Sequence, residues 1–155
     1  GTRAPIADTR KTLPGLRSLQ KYAVTVGGGR NHRFNLSDGA MLKDNHIDAA
    51  GGITAAVKAI RTRLGHMVKL EVETRNLAEV KEALEAGADV IMLDNMDCPA
   101  MAEAVRLVDG RALLEASGGI TDATLRAVAE TGVDIISVGA LTHSVRALDI
   151  SMKIR

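Results

Sequence analysis

The chain has 155 residues, of which 46% are apolar and 25% charged, so it is long enough for one globular domain and too short for two ordinary ones. It has no run of about 18 apolar residues, no basic segment followed by an apolar leader, and one cysteine, Cys98. We therefore expect neither a membrane protein nor a secreted disulfide scaffold, but a cytoplasmic protein. Aromatic residues make up only 1%, which argues against a nucleic-acid partner because single-stranded binders stack bases on aromatic rings.

The net charge of +1 conceals an asymmetry along the chain. Residues 1–46 contain 8 Lys and Arg against 3 Asp and Glu, and the remainder contains 12 against 16. One interpretation is two solvated surfaces of opposite sign. The other is a cleft with a basic wall for an anion and an acidic wall for a cation or a developing positive charge.

Short apolar or β-branched runs alternate with helical patterns, which predicts βα units around a parallel sheet within one domain, residues 1–155. The predicted strands lie near Ile6 to Thr9, Ala40 to Lys43, Val68 to Glu73, Val90 to Asp94, Leu113 to Ala116 and Ile135 to Val138. The predicted helices lie near Leu16 to Thr25, Ile53 to Leu64, Leu77 to Glu85, Pro99 to Leu107 and Asp122 to Glu130, with a short last one from His143. Six units are two short of a closed eightfold barrel, so both an incomplete TIM-like α/β barrel and an open sheet fit the pattern.

Basic side chains cluster at the carboxyl ends of the first predicted strands, where ligands bind in both architectures. Arg10 follows the first strand, His32 and Arg33 precede the second, and Lys43 ends the second. Arginine forks match carboxylate and phosphate oxygens in pairs, so together these residues predict a site for a small polyanion. Any one of them taken alone also fits a solvated or ion-paired side chain.

Glycine turns follow the last two predicted strands. Ser117-Gly118-Gly119 precedes a helix, and Gly139-Ala140 repeats the arrangement one unit later. Such turns let backbone N–H groups approach a phosphate, and paired turns at this place are the usual phosphate site of barrel enzymes. His143 is a candidate phosphate ligand or a helix-capping residue.

Glu73 and Asp94 end neighbouring predicted strands and are expected to face each other across the cleft. Paired carboxylates ligate Mg²⁺, accept protons from sugar hydroxyls or stabilise an oxocarbenium-like cation. Strand alternation places Glu71 on the same face one layer deeper, so either glutamate fits the functional role. An ion pair with Lys43 or Lys69 is the structural alternative. A phosphate site, a basic pocket and two acids together suit a reaction at a phosphorylated sugar.

Several motifs in order along the whole chain resemble the quinolinate phosphoribosyltransferase family, the nicotinate-nucleotide pyrophosphorylases. They are Asp8-Thr9-Arg10-Lys11-Thr12-Leu13-Pro14-Gly15-Leu16-Arg17, Gly27-Gly28-Gly29-Arg30-Asn31-His32-Arg33, Lys43-Asp44-Asn45-His46, Glu71-Val72-Glu73, Ile91-Met92-Leu93-Asp94-Asn95, Ser117-Gly118-Gly119-Ile120 and Val138-Gly139-Ala140-Leu141-Thr142-His143-Ser144. The resemblance implies an incomplete α/β barrel of the type II phosphoribosyltransferases. It also implies transfer of phosphoribosyl from phosphoribosyl pyrophosphate to quinolinate with decarboxylation, yielding nicotinate mononucleotide, pyrophosphate and carbon dioxide in NAD biosynthesis.

The resemblance also assigns roles to the matched residues. Those implied to grip the two quinolinate carboxylates are Arg10, His32, Arg33 and Lys43. Lys11 is implied to bridge toward the sugar-phosphate donor as a catalytic residue. Glu73 and Asp94 are implied to be catalytic residues that bind the ribose hydroxyls or Mg²⁺. The implied ligands of the 5-phosphate are Ser117, Gly118, Gly119, Gly139 and Ala140, with His143 beside them.

In this family an α/β-sandwich domain precedes the barrel, and in a homodimer the neighbouring subunit's sandwich domain completes the site with a further arginine. The resemblance covers the barrel portion only, so we expect residues 1–155 alone to have weak activity or none. Two alternatives remain open. One is a related type II transferase that acts on nicotinate, or a molybdenum-linked paralogue. The other is a module that binds sugar phosphates without catalysis.

Overall fold

Six parallel strands form one open sheet in the computed structural model, which describes residues 2–154 and thus all but the first and last residues of the predicted domain. The strands are β1 (Ile6–Ala7), β2 (Ala40–Leu42), β3 (Leu70–Thr74), β4 (Val90–Asp94), β5 (Leu113–Ser117) and β6 (Ile135–Ser137). Their order in the sheet is β1-β6-β5-β4-β3-β2, so β1 and β2 form its two edges and the barrel is not closed. The predicted α/β architecture with six strands is confirmed.

The connecting helices are α1 (Arg17–Val26), α2 (Asp44–Ala50), α3 (Ile53–Arg61), α4 (Leu77–Ala86), α5 (Cys98–Val108), α6 (Asp122–Glu130) and α7 (Ala140–His143). The sequence prediction placed no helix at α2, because its short polar start follows β2 directly. The last helix was predicted to begin at His143, and this was wrong: it ends there. Within residues 2–154 no helix has both the length and the apolar character that a bilayer crossing requires.

Alternation along the strands separates an apolar face from a polar one. Val72, Ile91, Leu114 and Ile136 point toward the helices, and each is no more than 2% exposed. The residues between them carry polar or sulfur-containing side chains on the opposite face. In the strand pairing, Glu73 lies beside Met92 and Met92 beside Glu115. Asp94 lies beside Ser117. The apolar face therefore forms the core with the helices, and the inner face of the open barrel is available for chemistry.

Side chains and glycines fix several of the βα connections. The Asn76 side chain accepts the N–H of Glu79 and begins α4, and Asp97 accepts the N–H of Ala100 and begins α5. Gly87 ends α4 with φ of 88°, a conformation that costs a glycine little. These local signals set where α4 begins and ends and where α5 begins, while the parallel pairing places the carboxyl ends of the strands at the same edge of the sheet.

The glycine-rich segment after α1 covers the outer edge of β1. Arg30 donates its N–H to the Ile6 carbonyl, and its own carbonyl accepts the N–H of Asp8. A parallel bridge joins Ala7 and Arg30. This pairing brings the next residues, His32 and Arg33, over the carboxyl ends of the strands.

Candidate active site

A pocket of about 150 Å³ opens at the carboxyl ends of the strands on the inner face of the barrel. Its wall is formed by Thr9, Arg10, Lys11, His32, Arg33, Met41, Lys43, Glu73, Met92, Asp94, Glu115, Ser117 and Ser137. Eight of the thirteen residues proposed from the sequence therefore lie around one cavity. A larger groove of about 510 Å³ beside α6 is lined mostly by apolar side chains and carries no comparable cluster.

Basic side chains without acidic partners form one wall of the pocket. Within residues 2–154, no carboxylate lies within 4.0 Å of the charged groups of Arg10, Lys11 or Arg33. Partial burial, and next the charge of Arg10, lower the pKa of Arg33 below its usual value. Three cations held near one another without counter-charges make a strong site for an anion.

The backbone of the sheet edge fixes the direction of Arg33. Its guanidinium group donates to the Gly39 carbonyl at 2.9 Å and contacts the Met41 sulfur at 3.3 Å. These contacts use two of its nitrogens and leave further N–H groups for a ligand. The arginine is thus oriented before any ligand binds.

Lys43 and Glu73 form an ion pair at the pocket wall. The ammonium nitrogen of Lys43 lies 2.8 Å from Oε2 of Glu73, which is the structural alternative considered for this glutamate. Both residues still line the cavity. Asp94 also lines it, and its Oδ2 accepts the side-chain amide of Asn95 at 2.9 Å. The pair and Asp94 therefore present one cation and two acids to the same space.

Glu71 and Glu73 have different surroundings in the structure. This distinguishes the two glutamates that the sequence analysis considered as the functional acid. Glu73 lines the pocket, whereas Glu71 is 7% exposed and lies below the wall. Oε2 of Glu71 lies 3.2 Å from Nε2 of His32, and Oε1 of Glu115 lies 3.5 Å from the same nitrogen. We call His32, Glu71 and Glu115 the buried acid cluster.

Opposing effects act on His32 within the buried acid cluster. Burial lowers its pKa, but the hydrogen bond to Glu71 and the charges of Glu115 and Glu71 outweigh burial and raise the pKa. Its Nδ1 accepts the N–H of Arg33 at 2.8 Å, which favours a neutral ring with its proton on Nε2. In this arrangement His32 donates to Glu71 and is held below the basic wall.

Glu115 is the main pocket residue that the sequence analysis missed. It is 2% exposed and accepts the hydroxyl of Ser137. Burial, and then the charge of Glu71, raise the pKa of Glu115 to about 7. The available signal was a lone glutamate within the apolar strand Leu113 to Ala116, at a position on the same face as Met92.

The residues proposed for phosphate binding lie at the rim. Ser117 lines the pocket, whereas Gly118, Gly119, Gly139, Ala140 and His143 do not. Gly118 has φ of 92°, and a side chain there would collide with the amide of Asn95. A Cβ on Gly139 would lie 2.9 Å from the His143 ring and 3.8 Å from the Thr9 hydroxyl, so this turn adjoins the pocket through Thr9. The Gly118-Gly119 turn lies before α6, which begins at Asp122 and has Thr121 as its N-cap residue.

Two sets of residues have side chains of the kind that bind metal ions. Glu73 and Asp94 offer carboxylates at the pocket wall. The buried acid cluster brings three ligand atoms within 4.8 Å of one another. Nε2 of His32 faces the two carboxylates as a hydrogen-bond donor, since Nδ1 accepts the N–H of Arg33, and this disfavours a metal there. The pair at the wall fits Mg²⁺ better, because that ion takes one or two carboxylates together with water and substrate phosphates.

Comparison with known proteins shows what the chain is similar to. Residues 1–153 match the family model described as quinolinate phosphoribosyl transferase, C-terminal domain. The chain is 54% identical over 149 residues to the probable nicotinate-nucleotide pyrophosphorylase [carboxylating] of Bacillus subtilis, covering 96% of this chain and 52% of that protein. Identity to the chloroplastic nicotinate-nucleotide pyrophosphorylase [carboxylating] of Arabidopsis thaliana is 51%, covering 97% and 49%.

The fold agrees with these sequence matches. The nicotinate-nucleotide pyrophosphorylase structure from Francisella tularensis superposes with a TM-score of 0.92 at 46% identity, covering 97% of this chain and 53% of that one. The chain thus spans about half the length of the relatives it matches.

Proposed function

The chain belongs to the quinolinate phosphoribosyltransferase family, matching its C-terminal domain, and we propose that it is the barrel of an enzyme that converts quinolinate to nicotinate mononucleotide. The observation that carries this proposal is the basic wall of Arg10, Lys11 and Arg33, whose positive charges have no acidic partner among the described residues. Quinolinate has two adjacent carboxylates and supplies the matching negative charge.

Quinolinate binding is assigned to the basic wall. Arg10 and Arg33 hold the two carboxylates through paired N–H groups, and Lys43 and His32 close the pocket around the ring. Positive charge at this wall also orients the ring nitrogen toward the sugar donor. Lys11, beside Arg10, bridges between the ring and the phosphates of phosphoribosyl pyrophosphate.

Binding of phosphoribosyl pyrophosphate is assigned to the carboxylates of Glu73 and Asp94 in the pocket wall and to the glycine turns beside the pocket. Glu73 and Asp94 face the ribose, where their charges stabilise the positive charge that develops on the sugar as the pyrophosphate departs. At Gly118 and Gly139 the absence of a side chain lets Asn95 and His143 pack against the backbone of the two turns, whose N–H groups are assigned to the 5-phosphate. His143 lies beside the second turn.

Magnesium is proposed as the cofactor of the donor. Glu73 and Asp94 would hold it, and when bound it neutralises the charge of the pyrophosphate leaving group. Lys43 is paired with Glu73 in the structure, so Mg²⁺ would compete with the Lys43 ammonium for that carboxylate.

A homodimer is proposed as the active assembly, with a further basic group supplied across the interface. A groove of about 580 Å³ adjoins the pocket and shares Arg10, Arg33 and Lys43 with it. The basic wall is therefore open on that side, and residues 1–155 alone are expected to turn over slowly. The single cysteine, Cys98, fits a cytoplasmic enzyme.

Calorimetric titration tests the proposed specificity. The protein is titrated with quinolinate and separately with nicotinate at neutral pH and moderate salt. Saturable binding of quinolinate, at least about tenfold tighter than that of nicotinate, is expected from the second carboxylate. Equal binding of the two acids would favour a transferase acting on nicotinate.

A further inference from the structure

The two glutamates of the buried acid cluster, Glu71 and Glu115, have no role in the steps assigned so far. Two carboxylates and one imidazole lie directly beneath the basic wall, with all three ligand atoms within 4.8 Å of one another. Glu71 and Glu115 are 7% and 2% exposed. Burying two like charges at such a distance is costly unless a proton is shared between them.

Hydrogen bonds show where a proton is needed. His32 uses its single ring proton on Nε2 toward Glu71, since Nδ1 accepts the N–H of Arg33. Oε1 of Glu71 is buried and has no hydrogen-bond partner. Oε1 of Glu115 lies 3.5 Å from Nε2 of His32, so its interaction with the ring proton is weak. The same oxygen accepts a hydrogen bond from the Ser137 hydroxyl. The cluster as a whole is short of protons unless Glu115 carries one.

The groups around Glu115 favour its protonated form. Burial and the charge of Glu71 act against ionisation, while His32 and the Ser137 hydroxyl act in the opposite direction and are weaker. The result is a carboxyl group with a pKa raised to about 7, so a substantial fraction carries the proton at neutral pH. Glu115 lines the pocket, whereas Glu71 does not. The proton is therefore held at the floor of the site.

The proposed reaction requires a proton at one particular step. After the ring nitrogen has joined the ribose, the bond between C2 and its carboxyl group breaks and carbon dioxide leaves. The electron pair of that bond stays on C2, stabilised by the adjacent ring cation. Nicotinate mononucleotide forms only when C2 takes up a proton.

Poorer donors for this proton at the pocket are Lys43, the arginines and His32. The ammonium of Lys43 is paired with Glu73 at 2.8 Å, and arginine side chains do not release protons near neutral pH. Nε2 of His32 faces the two buried carboxylates rather than the cavity. Glu115 combines a place in the pocket wall with surroundings that keep it protonated.

We propose that Glu115 is the general acid that protonates C2 of the pyridine ring as carbon dioxide departs, with His32 and Glu71 holding it in position. The Glu115 O–H bond breaks, its proton forms the new C2–H bond, and the electron pair left on C2 is consumed. The Glu115 carboxylate then regains a proton from water before the next turnover. This inference rests on the proposed function, because it assigns one step of that reaction.

Replacing Glu115→Gln separates the two halves of the reaction. The substitution keeps the size of the side chain and removes the transferable proton. In a single turnover of the complete natural protein with quinolinate, phosphoribosyl pyrophosphate and Mg²⁺, pyrophosphate release is expected to stay within about threefold of wild type. Formation of nicotinate mononucleotide is expected to fall about 100-fold, as for loss of a general acid. The nucleotide that retains both carboxylates accumulates to the enzyme concentration.

The matched control is Glu130→Gln, because Glu130 lies on α6 in an exposed pair with Arg126. It is expected to leave both rates unchanged. Glu115→Asp, which retains an acid with a shorter reach, is expected to recover part of the lost decarboxylation, and it serves as the second variant if Gln is not tolerated.

Two results would overturn the proposal. One is nicotinate mononucleotide formation at the wild-type rate in the variant. The other is an equal fall in pyrophosphate release and decarboxylation, which indicates a role in holding substrates only. If the wild-type protein releases no pyrophosphate from this mixture, the proposed function fails, and the two failures are thereby distinguished.

Discussion

Lys21 and Asp8 form a buried ion pair behind the basic wall, with Nζ of Lys21 2.5 Å from Oδ1 of Asp8. The same carboxylate oxygen accepts the N–H of His32 at 2.8 Å, and Nζ of Lys21 also donates to the His32 carbonyl at 2.9 Å. Lys21 and Asp8 are 1% and 0% exposed. They attach α1 and the end of β1 to the loop that carries His32 and Arg33.

Removing one partner of this pair is expected to be strongly destabilising. Lys21→Met leaves the Asp8 charge buried without its cation, so the free energy of unfolding should fall by about 3–5 kcal/mol. Urea unfolding followed by circular dichroism measures it. Lys81→Met is the matched control, since Lys81 is 65% exposed and 3.9 Å from Glu85, and it should cost less than about 0.5 kcal/mol. Similar losses for the two variants would contradict the role given to the buried pair.

Arg33→Ala is expected to weaken quinolinate binding by about 10- to 100-fold, the loss of one charge-assisted, paired contact. Isothermal titration calorimetry gives the dissociation constants. Arg126→Ala removes an arginine of the same charge from the exposed surface of α6 and should leave the affinity unchanged within twofold. If both variants bind as tightly as wild type, the basic wall is not the quinolinate site.

Gly118 is expected to tolerate no side chain. Gly118→Ala adds a Cβ at φ of 92° against the amide of Asn95, whereas Gly110→Ala adds one at φ of 71° with no atom within 4 Å. Both variants pay a backbone cost of about 1–2 kcal/mol, so their difference reports the collision alone. We expect Gly118→Ala to lose at least about 1 kcal/mol more in urea unfolding.

The same glycine pair tests the phosphate site. Gly118→Ala should also weaken binding of phosphoribosyl pyrophosphate at least tenfold, while Gly110→Ala, located after α5, should bind it as wild type does. Equal affinities in the two variants would place the phosphate elsewhere.

Glu115 is expected to make stability depend on pH. Its pKa is raised to about 7 in the folded protein from an ordinary value of 4.5, so the folded state holds the proton more tightly than the unfolded state. The resulting stabilisation is complete below pH 4.5 and is lost as pH rises through 7. Glu115→Gln has no such proton. The stability of the variant relative to wild type should therefore rise by on the order of 2 kcal/mol between pH 5 and pH 8.

Thermal and urea unfolding at the two pH values measure this change. Glu130→Gln should follow the wild-type pH dependence. A constant difference between Glu115→Gln and wild type across this range would show that Glu115 has no raised pKa.

Much of the fold follows from local patterns in the sequence. All six strands were predicted because each is a short apolar run that a helical pattern follows, and their parallel pairing follows from that alternation. The observed bounds differ from the predicted ones by at most two residues; for example, β1 ends at Ala7 rather than Thr9. Helix α2 was missed because its polar start, from Asp44, follows β2 without a loop.

The candidate site was only partly predictable because it depends on contacts between distant segments. Arg10, Lys11, Arg33 and Lys43 lie at strand ends or in the loop before a strand, and that position alone indicated a pocket. Glu115 gave no such signal, since its role depends on Glu71 two strands away and on His32 in a loop. No local pattern specifies that these three side chains meet.

The product made from quinolinate tests the central claim most directly. The complete natural protein is incubated with quinolinate, phosphoribosyl pyrophosphate and Mg²⁺, and the nucleotides are identified by mass spectrometry, with nicotinate in place of quinolinate as a parallel reaction. Nicotinate mononucleotide, pyrophosphate and carbon dioxide in equal amounts from quinolinate, and no nucleotide from nicotinate, are the predicted result. No nucleotide from quinolinate, or equal use of the two acids, would contradict the assignment of the basic wall as a dicarboxylate site in a decarboxylating transferase.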